Sequence, residues 1–170
     1  SVNFSDAVMR APLGVGVLGR VFDGSFRPID DLPMFIPEFR QPVIGAPINP
    51  VARAHPEEFI ETGFSTIDGL NTLVKGQKLP IFTCAGLPAR EMTEQLLHQA
   101  RLPDGGPFVL VFVALGLTHF EYQFYRQTLE HMQSRFVAFV NLADDPVVER
   151  LLAPRLALTV AEDLAFRQEM

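Results

Sequence analysis

Three short apolar runs, residues 78–83, 108–114 and 135–142, alternate with stretches whose apolar residues recur at helical spacing. No other feature restricts the fold so strongly. Strands separated by helices pair as a parallel sheet with helices on both faces, and a strand buried on both faces reads as an unbroken apolar run. Residues 108–114 have that character, and 135–142 read as another buried strand. Between the runs, Ser65-Thr66-Ile67-Asp68 opens a helix as a capping pattern, with Ile67, Leu70, Leu73 and Val74 on one side and Gly76 as its stop. Further helices are predicted over 88–100, begun by a favourable proline, over 119–132, with Phe120 and Phe124 turned to the core, and over 146–167, bent at Pro154. The prediction is an α/β domain over residues 65–170.

Residues 1–64 have a different texture. Eight of the 14 prolines lie in the first 56 residues. Proline has no N–H to donate and is excluded from helix interiors and central strands, so this part is a Pro-rich connector of short strands and ordered loops. Residues 15–22 suit a short helix or strand closed by the turn Asp23-Gly24. With 14 basic and 20 acidic residues the net charge is −6, which argues against nucleic acid as a partner. The apolar run 108–117 is far below the ~20 residues that cross a bilayer. The lone Cys84 suits a reducing compartment, and a soluble cytoplasmic protein is expected.

In a parallel α/β unit the first strand-to-helix turn is the usual phosphate seat. Here it is Thr83-Cys84-Ala85-Gly86-Leu87-Pro88-Ala89-Arg90. A working phosphate loop reads G-x-x-x-x-G-K-[ST], with lysine on the phosphates and the hydroxyl on Mg²⁺. On that frame Thr83 and Pro88 replace the glycines, Ala89 the lysine and Arg90 the hydroxyl residue. Pro88 also removes an N–H that would face phosphate. Alone, the turn fits an ordinary structural turn as well as a nucleotide site.

Its flanks carry more. The segment Thr62-Gly63-Phe64-Ser65-Thr66-Ile67-Asp68-Gly69-Leu70-Asn71-Thr72-Leu73-Val74-Lys75-Gly76-Gln77-Lys78-Leu79-Pro80-Ile81-Phe82 resembles the approach to the phosphate loop in rotary ATPases, in particular the B subunit of V-type (V/A-type) ATPases and ATP synthases. So do Leu18-Gly19-Arg20-Val21-Phe22-Asp23-Gly24, Gly45-Ala46-Pro47-Ile48-Asn49-Pro50, Gly86-Leu87-Pro88, Asn141-Leu142-Ala143-Asp144-Asp145-Pro146 and Ala153-Pro154-Arg155-Leu156-Ala157-Leu158-Thr159-Val160-Ala161-Glu162, in the family's order. The resemblance implies a RecA-like P-loop fold and a non-catalytic regulatory subunit that alternates with catalytic A subunits in a hexameric ring around a central stalk. It implies a place peripheral to the membrane, as part of the soluble head. It also implies that Leu117, in Gly116-Leu117-Thr118, stands where catalytic relatives carry the carboxylate that positions water. Leucine can do neither that nor proton transfer. With two losses the chain is expected to be no enzyme by itself and to have no catalytic residue. ATP or ADP binding at 83–90 is expected to be weak or absent, and Mg²⁺ is not expected. Against the family, residues 1–22 resemble the tail of an N-terminal β-barrel, and Met170 falls before the Walker B strand. A sheet lacking that strand is expected to self-associate. The rival is a free-standing NTPase with an atypical phosphate loop.

Other residues read more plainly. Cys84 is expected as a small buried filler, and Arg90 as a solvated first-turn arginine rather than a phosphate ligand. Glu94 and His98 make a surface pair one turn apart. Asp144 and Asp145 suit a turn and helix cap better than a metal. The four histidines lack metal-ligand spacing. Arg150 and Arg155 either face a neighbouring subunit or lie on a solvated helix face.

Overall fold

The structure, a computed structural model, describes residues 8–45, 51, 55, 57–106, 108–132, 136–168 and 170. The expected strand start at Arg135, most of the Gly45–Pro50 motif, Pro56 and the first seven residues of the expected barrel tail lie outside these.

The sheet forms round β5 (Phe136–Leu142), whose side chains are almost all buried. It lies between β4 (Leu110–Leu117) and β2 (Arg20–Phe22), both parallel to it, in the order β2-β5-β4. Alternate residues of β5 serve opposite faces, as the two-residue strand period requires. Val137 and Phe139 meet α4 (Val147–Phe166), whereas Phe136, Ala138 and Val140 meet α3 (His119–Glu130) and Leu97 of α2 (Ala89–Gln99). Helices therefore cover both faces.

The expected strand at 78–83 does not form. Those residues join no ladder among the described residues, and Phe82 is 91% exposed. Pro80 sits in the middle of the run and cannot donate to a ladder. The third place in the sheet goes instead to β2, from the segment read as connector. A 3-10 turn, Val15–Val17, leads into it, so 15–22 holds both alternatives in sequence. After Phe22 the chain turns at Asp23, whose Oδ1 accepts from the Ser25 and Arg27 amides at 2.8 and 2.7 Å. Gly24 is squeezed against α4: a Cβ there would lie 2.5–2.8 Å from Glu149.

β1 (Arg10–Leu13) and β3 (Phe39–Pro42) form an antiparallel pair beside α4. Ala11 and Leu13 from β1, with Phe22, Phe26 and Phe139, enter the α4-side core. The rings of Phe22 and Phe26 are 4.6 Å apart, and that of Phe139 is 5.6 and 5.2 Å from them. An ion pair holds the following loop to β2: Arg20 Nε is 2.5 Å from Asp30 Oδ2, and both side chains are about nine-tenths buried. Burial alone would push the Asp30 carboxyl up, but the Arg20 guanidinium and the amides of Val21 and Leu32 hold it below the usual range.

Other expectations change in detail. α1 is only Ser65–Leu70 and starts without a side-chain cap. Asp68 turns backward, accepting from the Thr62 hydroxyl at 2.7 Å and from the Thr62 and Gly63 amides at 3.0 Å. β4 is half-buried rather than enclosed because, among the described residues, it is a sheet edge. α4 runs continuously through Pro154. Phe120, expected in the core, is 73% exposed, whereas Phe124 is half-buried against Tyr125.

Candidate functional site

The corner where β4 ends and α2 and α3 begin collects the residues singled out above. After Leu117, Thr118 caps α3 in a reciprocal box. Its hydroxyl accepts from the Glu121 amide, and the Glu121 carboxylate accepts from the Thr118 amide at 2.9 Å. That amide first, then the Thr118 hydroxyl, with a smaller pull from Arg90, hold the Glu121 carboxyl below its usual range. The spacing Thr118-His119-Phe120-Glu121 is a capping-box signal visible in the sequence and would have located this corner.

Facing it is the loop before α2. Thr83, Cys84, Ala85, Gly86, Leu87, Pro88, Ala89 and Arg90 line one open cleft of about 650 Å³, together with Glu91 of α2 and with Thr118, Phe120 and Glu121 from the start of α3. All eight expected loop residues are thus brought together. Gly86 has φ +88°, the left-handed conformation glycine adopts without strain. The loop spends donors on itself: the Leu87 amide donates to the Cys84 carbonyl at 3.2 Å and the Ala89 amide to the Leu87 carbonyl at 2.8 Å. Pro88 has no N–H. Ala89 starts α2 and brings only a methyl group to the cleft. Cys84 is exposed, not a buried filler, because the loop around it is exposed. Arg90 is half-buried rather than solvated, its guanidinium 5.6 Å from the Phe120 ring centre. The cleft's charged side chains are one cation, Arg90, and two carboxylates, Glu91 and Glu121, a balance unfavourable to a polyphosphate.

Leu117 ends β4 with its side chain packed in the α3-side core. It presents nothing that can orient water. Nearby, the Arg150 Nε donates to Asn141 Oδ1 at 3.1 Å, and Gly116 leaves room for the guanidinium, 3.6 Å from where a Cβ would stand. Arg155 is exposed. Asp145 Oδ2 accepts from the Leu142 amide at 2.6 Å and so closes the turn before α4, but neither aspartate caps the helix. Asp144 lies 3.3 Å from His119 Nε2 instead. Among the described residues Glu94 and His98 form no pair, whereas the Gln95 amide donates to Gln99 Oε1 at 3.0 Å. Among the described residues no helix is long and apolar enough to cross a membrane.

A family model described as the ATP synthase alpha/beta family, nucleotide-binding domain, matches residues 63–170. The chain is 63% identical over 169 residues to the V-type ATP synthase beta chain of Geotalea uraniireducens, covering 99% of this chain and 38% of that one. It is 50% identical to the V-type ATP synthase beta chain of Thermus thermophilus (99% and 37% covered). It is 48% identical to the B subunit of the A-type ATP synthase of Halorubrum lacusprofundi (99% and 38% covered). The chain thus spans little more than a third of the length of these relatives. Among solved structures, a unique ATP synthase subunit, NeqB, from Nanoarcheaum equitans superposes with a TM-score of 0.79 at 28% identity, over 94% of this chain and 38% of that one.

Proposed function

Because the chain belongs to the ATP synthase alpha/beta family, we propose that it works as the nucleotide-binding domain of a rotary B subunit that does no chemistry itself. On this reading the domain is RecA-like, residues 1–64 are a Pro-rich connector from a barrel region and residues 65–170 are part of the nucleotide domain. The subunit alternates with catalytic A subunits around a central stalk, in a head lying in the cytoplasm against the membrane. One observation carries the non-catalytic part. At the cleft, Ala89 stands where a phosphate lysine would be, and the loop's Leu87 and Ala89 amides bond within the loop. Phosphoryl transfer depends on positioning and electrostatic stabilisation of the phosphates. A cleft with a methyl group, a proline and two carboxylates in those places supplies neither, and Leu117 supplies no carboxylate for water.

ATP or ADP accordingly binds weakly or not at all in the isolated chain, and Mg²⁺ has no hydroxyl ligand at Arg90. The cleft is better suited to shape the contact with a neighbouring subunit than to hold a triphosphate. Steady-state phosphate release with ATP should stay at the buffer level, and titration with a fluorescent ATP analogue should show no saturable signal at low micromolar concentration. Phosphate release that Arg90→Ala abolishes would overturn the reading and favour a free-standing NTPase.

A further inference from the structure

We draw no further inference here: the strongest candidate, the buried Asp163 carboxyl on the inner side of α4, already has Arg167 as its ion-pair partner at 3.7 Å, and a role beyond that pair would rest on its raised pKa alone.

Discussion

Asp30→Asn should be among the most destabilising single-atom exchanges in the chain. Arg20 and Asp30 have side chains only 11% and 12% exposed. The arginine's Nη2 also donates to Asp30 Oδ1 at 3.0 Å and to the Pro33 carbonyl at 2.8 Å. Asparagine keeps the shape but leaves a buried guanidinium without its counter-charge. It also replaces one oxygen with an N–H₂ group that faces a donor, whether the Val21 amide, the Leu32 amide or the guanidinium. Removing one member of a buried pair costs about 3–5 kcal/mol. Residual exposure favours the lower end, about 3 kcal/mol, and in a domain of this size that lowers Tm by roughly 6–12 °C. Urea unfolding followed by circular dichroism measures it. Replacing both partners, as Arg20→Met with Asp30→Leu, should recover most of the loss, because an apolar pair strands no charge. The pH dependence has a definite sign. The Asp30 carboxyl is held below its ordinary value in the folded chain, so its contribution is present above the unfolded pKa of about 4 and is lost as pH falls through the folded value. The gap between wild type and Asp30→Asn should therefore close on acidification. A difference under about 0.5 kcal/mol at neutral pH, in the range of an exposed pair, would refute the reasoning.

Gly24→Ala should cost about 1–3 kcal/mol in the same unfolding experiment, because its Cβ meets the Glu149 backbone and there is no flexible side-chain end to yield; unchanged stability would mean α4 does not sit this close. Asp163, on the buried side of α4, has its carboxyl pushed up by burial, against the pull of Arg167 and with a further push from Glu38. A raised folded pKa gives stability that is complete below about pH 4 and fades as pH rises through the folded value, so Asp163→Asn should gain on wild type between pH 4 and 7, and a pH-independent difference would count against it.

The central strand was legible because β5 is enclosed on both faces and is apolar along its length except at Asn141. β4 was legible as a strand but not in its burial or limits, since nothing in 108–117 tells an edge from a centre. Residues 78–83 misled because an apolar run shows what could be buried, not whether a neighbour exists to take its hydrogen bonds; Pro80 was the contrary signal. β2 was hidden for the opposite reason. Its three ladder residues, Arg20–Phe22, are too few to display a period, and their partner is remote in sequence. At the cleft, the loop could be read residue by residue from the phosphate-loop frame. Phe120 and Glu121 read as the first turn of a helix, and helical spacing alone does not show that this turn faces the loop. Exposure at Cys84 and Phe120 is set by how the loop lies, which apolar character alone does not determine.

The position of β2 carries a consequence for synthesis. Arg20 pairs with Val137, so once β2 leaves the ribosome its ladder partner is missing until more than a hundred further residues exist. At 5–20 residues per second the wait is roughly 6–23 s. Throughout that interval Phe22 and Phe26, enclosed in the finished domain, stand in water beside an unpaired strand. Their contacts span most of the chain, which places ring closure late and makes the domain a slow folder for its size. Nascent chains shorter than about residue 140 therefore carry a sticky aromatic patch, and it is at this stage, rather than in the finished domain, that a chaperone would have something to hold.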